Sequence, residues 1–314
     1  MLIKKLNNMI LNFKILLLIL AIFNGCKFSN QKENETTESS ISPDYQLDHP
    51  DTVWQLPAEL REISGLAIFN ETTIAAVQDD DARIYLIDKS SGKVLSKHDF
   101  GKKGDYEGIT MVDSTAWVLK SNGNLYRVEN FRKPHPVVTR YKTPLTSANN
   151  AEGLAYDPQT HSLLIACKGK PNLEKGEKYK GFKAIYSFDL DELSLSTTPA
   201  YLIDLSVIEA FRASGAVREF YIKATKKSGL ISDALFFEPS GIAIHPQNNY
   251  LYVISHTAKL LLMISREGII TEIKKLPPRL FNQPEGICFA NDGTMYISNE
   301  GGKRSASILR FKPR

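Results

Sequence analysis

The chain has 314 residues, 42% of them hydrophobic and 24% charged, with a formal net charge of +4 and three cysteines. That is enough length and apolar content for one large core. Three cysteines exclude a disulfide-built scaffold. Three lysines and no acid stand in residues 1–25, so the rest of the chain carries only +1 and makes no charge case for nucleic acid.

Lys4, Lys5 and Lys14 form a basic start, and Ile15 to Phe23 is an unbroken run of nine apolar residues, too short to span a bilayer. The run ends at Asn24-Gly25-Cys26, a small residue before a cysteine, which resembles a bacterial lipoprotein signal with Cys26 as the lipidated first residue of the mature protein. Phe23 stands where such signals usually carry Leu. An ordinary cleaved signal or an uncleaved anchor would also send the chain to the cell envelope. Residues 1–25 are therefore read as signal peptide. Residues 26–43, rich in Lys, Ser, Asn, Glu and Thr, are read as a flexible tether, because they bury too little to offset their ordering entropy. Residues 44–314 are left as one domain.

Within that domain one phrase recurs five times: a polar residue, a spacer, Ser or Glu, then Gly and an apolar run. The copies are centred on Gly65, Gly108, Gly153, Gly241 and Gly286, at spacings of 43, 45, 88 and 45 residues. A period in the forties with short strands in each unit is the mark of an all-β propeller. Repeat two shows the unit: strands at Gly108–Val112, Ala116–Lys120, Leu125–Val128 and Val137–Tyr141, with Asn122-Gly123 as a tight turn. The Gly opening each first strand allows neighbouring backbones to approach closely. Repeat five ends on its third strand, Ile308–Phe311, and Thr52–Leu56 supplies its missing outer strand, closing the ring. The gap of 88 admits a sixth blade, but repeat three uses much of it, Lys168–Lys183 reads as a polar insertion and Val207–Phe211 as helix. Five blades with a short helical insertion are expected, six being the alternative. Cys167 and Cys288 lie in apolar stretches of different repeats and read as small buried hydrophobes.

The phrases Glu62-Ile63-Ser64-Gly65-Leu66, Tyr106-Glu107-Gly108-Ile109, Asn150-Ala151-Glu152-Gly153-Leu154, Glu238-Pro239-Ser240-Gly241-Ile242 and Ile297-Ser298-Asn299-Glu300 resemble the SdiA-regulated domain family over about residues 50–313. That family is distantly similar to NHL-repeat propellers. The resemblance implies a five-bladed propeller with a bound calcium ion and no established reaction.

The residues themselves offer the oxygens such an ion needs. Three positions before each Gly stand Glu62, Asp105, Asn150, Glu238 and Gln283; one position before stand Ser64, Glu107, Glu152, Ser240 and Glu285. Strand order in a propeller brings these starts to the same channel mouth as the second-strand ends: Asp79, Lys120, Lys168, His256, and Asn299-Glu300. Calcium takes six to eight oxygens and relieves repulsion among clustered carboxylates. Lys120 and Lys168 are expected to neutralise Glu107 and Glu152, leaving the acidic pocket between repeats one and five. The candidate metal residues are Glu62, Asp79, Glu107, Glu152, Glu238, Glu285 and Glu300. A metal-free reading, in which these acids serve backbone amides and lysines, stays open. Asp79-Asp80-Asp81 lacks the Gly and distal Glu of an EF-hand, and Lys102-Lys103 and Lys223–Lys227 read as solvated faces. No catalytic triad, phosphate loop or zinc spacing is present.

Two functions follow. One is a lipid-anchored, calcium-binding recognition platform for an unknown protein or small ligand, with no catalysis and no nucleic-acid partner. The other is a calcium-dependent hydrolase of phosphoesters or lactones at the mouth.

Overall fold

The computed structural model describes residues 44–214 and 237–314. The segments expected to be signal peptide and tether, with Cys26, and the lysines at 223–227 lie outside the described residues. β1 (Thr52–Gln55) precedes the first blade, which is β2 (Ile63–Asn70), β3 (Thr73–Gln78), β4 (Arg83–Asp88) and β5 (Val94–Asp99). Blade two is β6 (Tyr106–Val112), β7 (Thr115–Lys120), β8 (Leu125–Glu129) and β9 (Val137–Tyr141). Blade three is β10 (Ala151–Asp157), β11 (Ser162–Cys167) and β12 (Phe182–Asp189), with β13 (Ser194–Leu195) and β14 (Tyr201–Asp204) both pairing with β12. Then come helix α1 (Leu205–Ala213) and blade four: β15 (Gly241–Ile244), β16 (Leu251–Ser255), β17 (Leu260–Ile264) and β18 (Ile270–Lys275). Blade five is β19 (Pro284–Phe289), β20 (Met295–Asn299) and β21 (Ser307–Phe311), completed by β1. The chain is thus an all-β, five-bladed propeller; no sixth sheet occurs among the described residues. The expected helix starts at Asp204, whose carboxylate caps it by accepting from the Ser206 amide at 2.8 Å.

β1 lies antiparallel to β21, with Trp54 opposite Ile308. Trp54 stacks on Tyr296 at 6.3 Å, and the Arg310 guanidinium lies 5.5 Å from its ring centre. This is the clasp expected from Thr52–Leu56: an open outer edge on blade five is replaced by ladder bonds and a buried indole.

Five apolar clusters hold the ring, one between each pair of neighbouring blades. β17 shows how. Leu261 and Met263 join blade five's Ile297 and Leu309, while Leu260, Leu262 and Ile264 join blade three's Leu164 and Ile185. Side chains alternate across a strand, so an inner strand covered on both faces must be apolar at every position, as β17 is. Cys167 and Cys288 are free thiols in separate clusters.

A second fastening was not visible in the sequence. Residues ahead of β1 cross the seam between blades four and five, where Tyr45 and Leu47 are buried. The Tyr45 hydroxyl donates to the Gly293 carbonyl at 2.5 Å and lies 2.9 Å from His245 Nε2. Burial pushes His245 down to about 4. The neutral ring can then donate from Nε2 to Tyr45 while Nδ1 accepts from the Gln247 and Asn248 amides at 3.3 and 3.4 Å.

At the axis the first strands touch in a closed cycle, β2 to β6 to β10 to β15 to β19 and back to β2. The phrase glycines sit at these contacts. A Cβ on Gly65 would lie 2.6 Å from the Ile109 amide nitrogen and 2.8 Å from the Gly108 Cα, and neither backbone atom can swing away. We therefore expect Gly65→Ala to destabilise the fold by about 1–3 kcal/mol, lowering the melting temperature by several degrees, as checked by circular dichroism.

Candidate functional site

The phrase residues reach the axis because the strands bulge there. The pairing register shifts between Ile63 and Leu66, between Tyr106 and Gly108, between Ala151 and Gly153, and between Pro284 and Ile287. An extra residue in a bulge has no partner across the ladder, so its side chain leaves the alternation of the strand. In blades two and three that residue is Glu107 and Glu152. In blade four the register is regular from Gly241, and Ser240 hydrogen-bonds instead to the Pro284 carbonyl at 2.7 Å. Glu107, Glu152, Ser240 and Glu285 line an axial void of about 10 Å³, room for about one water-sized particle.

The seven candidate acids are not equivalent. Glu152 accepts from Lys168 Nζ at 3.2 Å and from Asn150 Nδ2 at 2.8 Å. Burial raises its pKa to about 7 in spite of Lys168. The expected pairing of Lys168 with Glu152 is present; that of Lys120 with Glu107 is not. Lys120 Nζ lies 4.9 Å from the centre of the Tyr106 ring instead. Glu107 is left among carboxylates. Burial, then Glu152, Asp79 and Asp105, drive it far above the usual range. Asp79 accepts from the Ser64 hydroxyl. Burial nevertheless lifts it to about 6, and Glu285, Asp105 and Glu62 add to the rise. Glu300 accepts from Gln283 Nε2 at 2.8 Å and is raised to about 8 by burial and by a hydrogen bond shared with Glu62, which needs a proton between two carboxyls. Glu285 pairs with His256 Nδ1 at 3.1 Å. Glu238 stands apart, acting on Lys183.

The acids of blades one and five do act on one another, Glu300 being raised by burial and then by Glu62, Glu285 and Asp79, and the cluster extends to Glu107 and Asp105 on blade two. His256 reaches Glu285 from blade four. Two further cations were missed. Lys183 donates to the Lys168 carbonyl at 2.5 Å, and Lys259 to the Asn282 carbonyl at 2.5 Å. Burial pushes both down, Lys259 to about 8. Both stand where third strands begin, which is the same mouth, so comparing third-strand starts would have found them. The mouth is divided: Lys168, Lys183, His256 and Lys259 on blades three and four, unrelieved carboxyls opposite, and Glu152 and Glu285 between.

Oxygen donors of this kind suit a hard divalent cation, and Glu107 is the group such an ion would relieve most. As the side chains stand, no three of the described His, Cys, Asp or Glu are gathered tightly around one point. The fit is in donor chemistry and in the axial space, not in a finished coordination shell.

The family model SdiA-regulated matches residues 38–302. The chain belongs to the SdiA-regulated family. No curated protein matches it by sequence. Among solved structures, glutaminyl cyclase from Myxococcus xanthus is 12% identical with a TM-score of 0.52, over 84% of this chain and 95% of that one. A luciferin-regenerating enzyme is 13% identical with a TM-score of 0.48, over 84% and 95%. A streptogramin B lyase is 15% identical with a TM-score of 0.42, over 82% and 67%. At 12% identity the likeness to the glutaminyl cyclase is one of fold alone, and a propeller fold serves many unrelated sites.

The raised carboxyls of this SdiA-regulated chain fix the sign of a pH effect. Folded Asp79, Glu152 and Glu300 hold protons to about pH 6, 7 and 8, whereas the unfolded chain releases them near pH 4. The native state binds more protons in that window, so stability falls as pH rises. Metal-free protein is expected to lose melting temperature steadily from about pH 5 to 8. Glu107→Gln is expected to gain about 1 kcal/mol or more at pH 8, read from urea unfolding.

Proposed function

We propose that this protein is a lipoprotein of the bacterial cell envelope whose propeller binds calcium at the channel mouth and serves as a recognition platform. The observation that carries the reading is Glu107, a carboxyl at a bulge that lines the axial void with Glu152 and Glu285 and is raised by burial and by the charges of Glu152, Asp79 and Asp105. A divalent cation at that point would convert mutual repulsion into attraction. Glu107, Glu152, Glu285 and Asp79 would hold it, with Glu62 and Glu300 as an outlying pair and Glu238 the least placed to contribute. The ion would supply a fixed positive charge able to hold a ligand's anionic oxygen. Lys168, Lys183 and Lys259 offer such a ligand further donors from the opposite wall. Anchoring rests on Cys26 and the apolar run before it. In a Gram-negative source the outer membrane is the expected destination.

One observation favours a hydrolase as second reading. Glu152 is raised to about 7 beside Lys168, and a carboxylate near neutrality is suited to accept a proton from water.

Calcium at about a hundred times its Kd should stabilise the protein by about 2.7 kcal/mol, a melting rise of several degrees that EDTA reverses and Glu107→Gln largely removes. A panel of phosphoesters and lactones should show no turnover. Calcium-dependent turnover lost in Glu152→Gln would establish the second reading, and no calcium response in the wild-type protein would refute both. Cys26→Ser should release the protein from the membrane fraction and abolish incorporation of labelled palmitate.

A further inference from the structure

We propose that the outer edge of blade two, β9, is a docking site for an extended acidic segment of a partner protein, which adds to the sheet as a further strand. This site does not depend on the calcium reading. β9 is the end strand of its sheet, so one of its edges has no strand beside it. Every blade has such an edge, but they are not alike. Val137, Val138, Thr139 and Arg140 are all exposed, the two valines at 54% and 38%. None of the other outer strands, β1, β5, β14 and β18, exposes two consecutive positions. Successive side chains point to opposite faces, so β9 stands clear of its neighbours on both. It is nonetheless anchored. Tyr141, its last residue, stacks on Trp117 at 5.3 Å and meets blade three's Phe188 at 5.9 Å. A fixed strand with an uncovered edge is what strand addition requires.

The register names the groups on offer. The Lys120 amide donates to the Asn124 carbonyl at 2.9 Å, which fixes the alternation of ladder bonds in this blade. Val118 and Ala116 then bond with Tyr126 and Val128, and Leu125, Arg127 and Glu129 bond outward with Tyr141, Thr139 and Val137. Val138 and Arg140 are left with their N–H and C=O groups on the free edge. Charge selects the partner. Arg132, Lys133, Arg140 and Lys142 are exposed, and residues 130–151 contain no Asp or Glu. The cations of other outer strands are neutralised: Lys97 pairs with Glu59, and Lys274 with Asp44 and Glu272. Among the described residues the four cations at β9 have no such carboxylate, and Arg132 lies over the Phe69 ring at 5.1 Å. Two copies of β9 would bring like charges together, which disfavours self-pairing. Val138, Arg140 and Lys142 alternate along the chain and share a face. An antiparallel strand reading Glu-x-Glu-x-Val would place two acids opposite the cations and an apolar residue opposite Val138.

The probe is the peptide Thr-Glu-Thr-Glu-Thr-Val-Thr, acetylated and amidated at its ends and titrated into the purified protein at low salt. NMR amide shifts should saturate with a Kd below about 1 mM, unchanged by EDTA, and hydrogen exchange should slow at the Val138 and Arg140 amides. The same peptide with Lys for Glu should bind at least about tenfold more weakly. A form N-methylated at alternate residues keeps the charges but cannot extend the ladder, and it should not bind. Arg140→Glu should weaken binding by about tenfold or more. Val138→Pro removes an N–H from the free edge alone and should abolish binding. The N-methylated peptide and Arg140→Glu keep the test decisive where Val138→Pro does not fold. Leu95→Ser, on the exposed outer strand of blade one, should leave binding unchanged. No saturable binding, equal binding of the lysine or N-methylated peptide, undiminished binding in folded Arg140→Glu, or loss in Leu95→Ser would overturn the site.

Discussion

Close approach of five backbone strands around one axis is the constraint from which the rest of this molecule follows. Gly65 lies against Gly108, Gly108 against Leu154, Gly153 against Ile242, Gly241 against Glu285 and Gly286 against Ser64. Side chains are excluded at that level, so the residues flanking it decide what each end of the channel contains. On one side the register shifts and turns oxygen-bearing side chains inward. On the other the strands part and leave a chamber of about 280 Å³ with no charged side chain in its lining. One repeated phrase therefore builds a seam, an acidic mouth and a mouth free of charged side chains.

The seam also explains why the carboxyls are under tension. Burial comes first among the causes raising Asp79, Glu107, Glu152 and Glu300, and neighbouring carboxylates follow. A protein this size tolerates such a cluster because five inter-blade cores, the β1–β21 clasp and the Tyr45–His245 fastening hold the ring by other means. Net stability is a small difference of large terms, so relief of one such cluster by a cation would register in the whole molecule's melting.

Fold and closure were legible because they rest on periodic, local signals. The glycine spacing counted the blades, β1 was visible as a spare strand before them, and α1 stood out from the strand pattern. The polar mouth was legible as a set of residue types but not as a set of pairs. Lys120 was assigned to Glu107 by equivalence with Lys168, yet the Tyr106 ring holds it. His256 reaches Glu285 across a blade boundary, and such cross-blade contacts have no fixed sequence spacing. The insertion at residues 168–183 ends in Lys183, whose ammonium group folds back to the Lys168 carbonyl. Tyr45 meets His245 from 200 residues away. Contacts between repeats depend on how blades face one another, which a single repeat does not encode.

The central claim is that the bulge beside Gly108 holds Glu107 in a half-buried, carboxylate-rich position that calls for a cation. It is tested most directly by NMR titration of the protein with ¹³C-labelled glutamate carboxyls, assigned through Glu107→Gln. In metal-free protein Glu107 should titrate far above the usual glutamate value near 4.3, and added calcium should return it to the fully ionised state at neutral pH. A Glu107 carboxyl that titrates normally without metal and does not respond to calcium would contradict the account.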